Sequence, residues 1–184
     1  MKIYLASKSP RRCELLKQIN IHYEIINIDI NESVKKNEEP LDYVHRLANE
    51  KARAGKESSK NDLPILAADT SVVLDNFIVG KAECKEDAVD ILSRLSGRTH
   101  NVLSAVTVIH KEEMTKINIS KVTFKILNKD EISRYCETNE PIGKAGAYAI
   151  QGKGSTLIEK LEGSYSGVMG LPLEETYQLL SRCD

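Results

Sequence analysis

Ile65-Leu66-Ala67-Ala68 stands between Pro64 and Asp69, and Thr70-Ser71 leads on to Val72-Val73-Leu74-Asp75-Asn76-Phe77-Ile78-Val79-Gly80. The first four residues form an apolar run without polar alternation, the pattern of a central strand covered on both faces. The run Val72-Val73-Leu74 and the run Phe77-Ile78-Val79-Gly80 flank Asp75-Asn76, which predicts a hairpin with a two-residue turn. A strand buried on both sides requires helices above and below it, and the flanking sequence supplies them.

Upstream, residues 3–6 read as a short buried strand. Ser9-Pro10 then opens a helix, because Ser caps well and Pro is tolerated at the first helical position, with Leu15, Leu16 and Ile19 as its buried stripe. Residues 23–28 read as a second strand and residues 31–39 as an exposed polar loop. Glu39-Pro40 starts a long helix that places Leu41, Val44, Leu47, Ala48 and Ala52 at helical spacing and has Gly55 near its end. Downstream, Ala88, Ile91, Leu92 and Leu95 mark a helix closed by Gly97, and residues 101–109 and 115–127 read as long strands joined by Lys111-Glu112-Glu113. Asn128 and Glu131 fit a capping box for a helix through Cys136. A strand over residues 156–161 follows a small-residue stretch, and Gly170-Leu171-Pro172 precedes a terminal helix on Leu173, Tyr177 and Leu180. Without repeat or linker, residues 1–184 are expected to form one α/β domain with a mixed sheet and flanking helices.

Composition narrows the function. The 184 residues are 41% hydrophobic, with no Trp and two Phe, so the core must be aliphatic. Lys and Arg number 26 against 27 Asp and Glu, a balance that argues against a nucleic-acid coat, whose affinity comes from a cationic surplus. Met1-Lys2-Ile3-Tyr4-Leu5-Ala6 is too short an apolar stretch for an export signal, and no window reaches the roughly 18 apolar residues of a membrane span. Cys13, Cys84, Cys136 and Cys183 form no C-x-x-C pair, which suits a reducing, cytoplasmic setting, and Cys84 and Cys136 are expected to be packing residues. His22, His45, His100 and His110 form no pair of zinc-ligand spacing.

The informative residues are charges standing where periodicity demands core. Arg11 and Arg12 lie four and three residues before Leu15, on the inward side of a helix's first turn, where the dipole disfavours cations. With the hydroxyls of Ser7 and Ser9 nearby, they suggest a bound anion; the alternative is two arginines turned to solvent or paired with surface carboxylates. Lys51, four residues after Leu47, interrupts the apolar stripe of the long helix, as a cleft residue or as a snorkelling lysine. Asp69, expected just past a buried strand, is placed as a catalytic base or metal ligand, or as a turn residue. Glu32 in the polar loop is a second carboxylate or merely solvated. Gly80-Lys81 is a weak phosphate-turn signal. Lys144-Ala145-Gly146-Ala147-Tyr148-Ala149-Ile150-Gln151-Gly152 is more specific, because small residues admit close approach and the Gln151 amide both donates and accepts, as reading a base edge requires; a tightly packed turn is the alternative.

A nucleoside triphosphate carries roughly three to four negative charges. Arg11, Arg12, Lys51 and Lys81 balance them, but Glu32 and Asp69 return two. A like-charge pair at 4 Å costs about 4 kcal/mol at an effective dielectric near 20, so carboxylates facing phosphates call for a divalent cation between them. Oxygen ligands and phosphates favour Mg²⁺ or Mn²⁺ over zinc.

Leu5-Ala6-Ser7-Lys8-Ser9-Pro10-Arg11-Arg12-Cys13-Glu14-Leu15-Leu16, Ala67-Ala68-Asp69-Thr70-Ser71-Val72, Leu95-Ser96-Gly97-Arg98-Thr99-His100, the Lys144 to Gly152 stretch, Gly163-Ser164-Tyr165-Ser166 and Val168-Met169-Gly170-Leu171-Pro172-Leu173 together resemble the Maf family over nearly the whole chain. The resemblance implies an elongated, two-lobed fold related to inosine triphosphate pyrophosphatases, with a central cleft, and a cytoplasmic enzyme that releases a nucleoside monophosphate and pyrophosphate. It implies Asp69 as proton acceptor, Arg12, Thr70 and Gln151 in substrate selection, Ser7, Arg11, Lys51 and Lys81 on the phosphates, and Glu32 with Asp69 near the metal. It points to the dTTP and UTP branch, with a 7-methyl-GTP pyrophosphatase or a non-catalytic septum regulator as alternatives, and it carries the expectation of a homodimer. Ala82 and Gly143 depart from the family's usual Pro and Asp, leaving the Lys81 turn and the pocket's hydrogen bonding to be established by the structure.

Overall fold

The computed structural model describes residues 1–183. Strands β1 (Lys2–Leu5), β2 (His22–Ile25), β3 (Ile65–Leu74), β4 (Phe77–Val79), β5 (Thr99–Ile109), β6 (Glu113–Phe124) and β7 (Ile158–Glu162) form one seven-stranded mixed sheet. Helices α1 (Pro10–Gln18), α2 (Pro40–Ser58), α3 (Lys85–Leu95), α4 (Lys129–Cys136), α5 (Tyr165–Met169) and α6 (Leu173–Leu180) flank it, and a short 3-10 helix, Lys153–Leu157, precedes β7. The strand order is β2-β1-β3-β5-β6-β7, with β4 hydrogen-bonded to β3. β1 pairs in parallel with β2 and β3, and every other pairing is antiparallel.

Alternate residues of the central strands bury against opposite layers, which explains their continuous apolar runs. Ile3, Leu5, Leu66, Ala68, Val106 and Val108 pack towards Leu15, Met169, Leu171 and Leu179. On the other face Tyr4, Ala6, Ile65 and Ala67 gather with Ala52, and Val73, Leu103 and Ala105 with Val44 and Ala48 of α2. A fourth cluster joins Val72, Leu74, Val102, Val122 and Phe124 to α3 and α4.

Several sequence expectations shift. β3 does not stop at Ala68 but runs unbroken to Leu74, so Asp69 lies mid-strand, held in register with Ala105 of β5. Asp75 and Asn76 take φ of 50° and 66°, the left-handed values that a two-residue hairpin turn demands. β2 ends at Ile25 rather than at residue 28, and β6 ends at Phe124, where the register with β7 breaks between Thr123 and Phe124. α2 continues past Gly55 to Ser58; that glycine is a packing residue, since a Cβ there would lie 2.9 Å from Ala6 Cβ and Ile65 Cγ2. Cys84 is an exposed N-cap whose sulfur accepts from the Asp87 amide, while Cys136 is buried. The Asn128–Glu131 capping box forms. α5 and the 3-10 helix escaped the sequence reading because five residues are too few to show a period.

The decisive feature is a change of partner along one edge of β3. Opposite β5, residues 65 and 66 pair with β1 and residues 72–74 pair with β4. Residues 67–71 have no strand partner on that side, and the sheet is open there.

Candidate active site

A cavity of about 410 Å³ occupies this opening, with Ala6, Ser7 and the start of α1 on one flank, Lys81 and residues 143–145 on the other, and Asp69 and Thr70 on its floor. Consecutive strand residues point to opposite faces, yet both line one cavity because the missing partner strand lets it reach both sides of the sheet. Ser7, Arg11, Arg12, Glu32, Lys51, Asp69, Thr70, Lys81 and Gln151 all line it.

On the α2 face, the Lys51 ammonium lies 2.7 Å from Asp69 Oδ1 and 2.7 Å from Glu32 Oε1. Lys51 is only 7% exposed, so it does not snorkel. It reaches Asp69 because α2 is set close on the sheet by Gly55 and by Asn49 Oδ1, which accepts from Thr107 Oγ1 at 2.6 Å and Thr115 Oγ1 at 2.7 Å. Glu32 also takes Lys81 Nζ at 3.2 Å. Its loop is tied down by α2: Tyr43 Oη donates to the Glu32 carbonyl at 2.9 Å, and Arg46 donates to Ser33 O at 3.1 Å and to Glu38 Oε2 at 2.8 Å. Burial pushes the Glu32 carboxyl up, but hydrogen bonds and charge from Lys51 and Lys81 outweigh it and hold the group below its ordinary value. Burial, reinforced by the charges of Asp69 and Glu32, raises the Tyr43 phenol to about 12, so it stays a neutral donor.

On the α5 face, Arg12 Nε donates to Gly170 O at 2.8 Å and Nη1 to Ser7 Oγ at 3.0 Å, while Arg11 Nε donates to Met169 O at 3.2 Å. Neither arginine has a carboxylate partner among the described residues. Burial lowers both guanidinium groups from their ordinary values; at Arg12 the charges of Asp69 and Glu32 oppose that shift without overcoming it. Thr70 Oγ1 lies 2.9 Å from Ser104 Oγ, and Ser104 donates its single proton to Gly167 O at 2.6 Å. The single Thr70 proton has two acceptors within the protein, Ser104 Oγ at 2.9 Å and Gly170 O at 3.4 Å, and with it given to either one the hydroxyl is left to act towards the cavity as an acceptor.

The two departures from the family pattern are absorbed by backbone. Lys81 and Ala82 form isolated bridges to Ala145 and Ile142, and Gly143 N donates to Ala82 O at 2.8 Å, so the Lys81 turn is fixed without a proline. Gly143 has φ +72°, which suits glycine, and contributes no carboxylate.

The cavity lining carries six cationic side chains, those of Lys8, Arg11, Arg12, Lys51, Lys81 and Lys144, against the carboxylates of Glu32 and Asp69. That surplus of four nearly matches a triphosphate, on a chain whose net charge is -1. Among the described residues no group of three or more His, Cys, Asp and Glu is placed to hold a metal. The two carboxylates do converge on one point, as their shared ammonium shows, and two carboxylates completed by substrate phosphates are a donor set that Mg²⁺ accepts. Lys8 and Lys144, which line the cavity, and Ser104, which touches Thr70, were missed as site residues. The buried Ser104 in the apolar run Val102-Leu103-Ser104-Ala105-Val106 was the available signal for one of them.

The class is that of α/β proteins with a cation-lined cleft set into an opened mixed sheet. A structure from Mycobacterium abscessus described as a nucleoside-triphosphatase / dITP/XTP pyrophosphatase shares this fold, with a TM-score of 0.52 at 19% identity over 99% of this chain and 95% of that one. The chain matches the Maf-like protein family over residues 2–183 and belongs to it. Relatives named dTTP/UTP pyrophosphatase include one from Alkalilimnicola ehrlichii, 50% identical over 97% of this chain and 91% of its own length. Another, from Methylobacillus flagellatus, is 49% identical over 99% of this chain and 92% of its own length.

Proposed function

We propose that this Maf-family chain is a dTTP/UTP pyrophosphatase, an enzyme that hydrolyses the α–β phosphoanhydride to the monophosphate and pyrophosphate, with modified pyrimidine triphosphates as further substrates in a house-cleaning role. The observation that carries this reading is the convergence of Ser7, Arg11, Arg12, Glu32, Lys51, Asp69, Thr70, Lys81 and Gln151, from separate segments, on one cavity in a chain about half identical to relatives bearing that name.

Arg11, Arg12 and Lys81, with Ser7, bind the triphosphate and orient the anhydride. Asp69 accepts the proton of the attacking water, the new P–O bond forms as the bridging P–O bond breaks, and the bridging electron pair leaves with pyrophosphate. Lys51, 2.7 Å from each, holds the Asp69 and Glu32 side chains close together before substrate arrives. Glu32 and Asp69 would hold a divalent Mg²⁺ or Mn²⁺, which would supply charge neutralisation on the phosphoryl oxygens and acidify the attacking water. At the other end, Thr70 accepts from the N–H that uracil and thymine carry between two carbonyls and cytosine lacks, while Gln151, without a protein partner among the described residues, completes the base edge.

A cytoplasmic homodimer acting on free nucleotides, with neither nucleic acid nor membrane as partner, belongs to the same reading; no helix among the described residues is long and apolar enough to cross a membrane. Turnover of dTTP, UTP, CTP and 7-methyl-GTP with Mg²⁺ or Mn²⁺, separating pyrophosphate from orthophosphate, tests it. Pyrophosphate from dTTP and UTP is expected. Release from 7-methyl-GTP instead places the chain in the other branch, and no pyrophosphate from any nucleotide makes it a nucleotide-binding regulator.

A further inference from the structure

The segment that carries Gln151 is held by a polar clamp made of the half-buried Glu140 and the buried Tyr135. Glu140 Oε1 accepts from Gly154 N at 2.9 Å and from Tyr135 Oη at 2.8 Å, and Glu140 Oε2 accepts from Lys153 N at 3.0 Å. Tyr135 Oη in turn accepts from Ala149 N at 3.2 Å. One carboxylate and one phenol thus fasten both ends of residues 149–154, with Gln151 between the anchors. The two glycines of this segment make room for the clamp: a Cβ at Gly152 would collide with the Glu140 carboxylate, and one at Gly154 would lie 2.7 Å from Tyr135 Oη and 2.7 Å from Ala149 O. Tyr135 is 5% exposed, and burial raises its phenol, so it remains a proton donor to Glu140. Burial pushes Glu140 up, but the hydrogen bonds of Gly154, Tyr135 and Lys153 outweigh it and keep the carboxyl below its ordinary value.

We infer that Glu140 and Tyr135 are positioning residues for base selection, fixing the backbone on which Gln151 presents its amide without touching substrate themselves. This rests on the reading that Gln151 faces the base. Glu140 is well suited to the task because an ionised carboxylate only accepts, and three donors aim at it. A glutamine of the same shape points an NH₂ group at one of those donors and releases one anchor.

The experiment measures kcat and KM for UTP and CTP, inhibition by inorganic tripolyphosphate, and amide exchange across residues 149–154 in Glu140→Gln, Tyr135→Phe and Gln151→Ala. Glu140→Gln is expected to cut the UTP-over-CTP preference about tenfold and Tyr135→Phe about threefold, through KM for UTP, with faster exchange in the segment and unchanged tripolyphosphate inhibition. A general loss of structure would weaken tripolyphosphate binding and kcat in parallel, and that result overturns the inference. If Gln151→Ala erodes the preference while neither clamp variant does, the clamp assignment fails and the base reading stands. An unchanged preference in Gln151→Ala sinks the base reading and takes the clamp's role with it. Should Glu140→Gln not fold, Tyr135→Phe decides alone.

Discussion

Asp69, Lys51 and Glu32 form a chain in which one ammonium is shared by two carboxylates, and Lys51 and Asp69 are both almost wholly buried. Such an arrangement is costly to desolvate and is a poor device for stability alone, which is why the trio reads as chemistry rather than scaffold. Asp69→Asn keeps the volume and an acceptor but cannot take a proton. It should leave nucleotide binding near its original strength and lower kcat by about 10²–10⁴-fold, as single-turnover kinetics with UTP will show; unaltered turnover moves the base to Glu32. Arg11, Arg12 and Lys51 were legible from sequence because each is a charge in a position where helical periodicity requires an apolar residue. Glu140 was not, because a turn glutamate acquires meaning only from Gly154 and Tyr135, whose convergence on it no local pattern announces.

The central strand was recognised from Ile65-Leu66-Ala67-Ala68, yet its length was not. Asp69-Thr70-Ser71 looks like a strand's end when only local polarity is weighed. Continuous pairing with residues 101–109 of β5 carries the strand through, and the polar side chains are tolerated because they face the cleft or find partners such as Ser104. Gly55, read as lying near the end of α2, does lie in its last turn, and its missing side chain is what lets the helix lie against Ala6 and against Ile65 of β3. Gly55→Val should overpack this contact, lowering stability by about 1–3 kcal/mol in urea unfolding, and should reduce activity as well by lifting Lys51 away from Asp69. Full activity in a destabilised Gly55→Val protein would show that the spacing of α2 from the sheet does not govern the site.

Taken whole, the molecule sets a cationic cleft into a nearly neutral chain, so the pull on substrate is local. Raising ionic strength from about 0.05 to 0.2 M should increase KM for UTP several-fold with little change in kcat, since screening acts on encounter and binding; an insensitive KM would contradict a charge-driven cleft. A buried histidine beside the cleft gives the fold a pH signature. His100, 2% exposed, hydrogen-bonded to Tyr148 Oη at 2.9 Å and edge-on to Phe124 and Tyr148, has its pKa lowered by burial from 6.5 to about 4. The unfolded chain takes up this proton first, so stability is full above about pH 6.5 and falls as pH drops towards 4. Between pH 7 and pH 5 this residue should account for about 2 kcal/mol of lost stability, visible as a steeper pH dependence in the native protein than in His100→Gln; equal slopes would refute it.

The overall layer order was readable from alternating strand and helix signals, whereas the opening in the sheet was not, since it arises from where β1 and β4 each stop against β3. That opening behaves as an adjustable aperture. Its width depends on how many residues the two short neighbours contribute, and its floor belongs to a strand anchored independently by β5. Lengthening or trimming either neighbour by a residue would resize what is admitted while the reacting groups stay put, a route by which one scaffold can accommodate bases of different bulk.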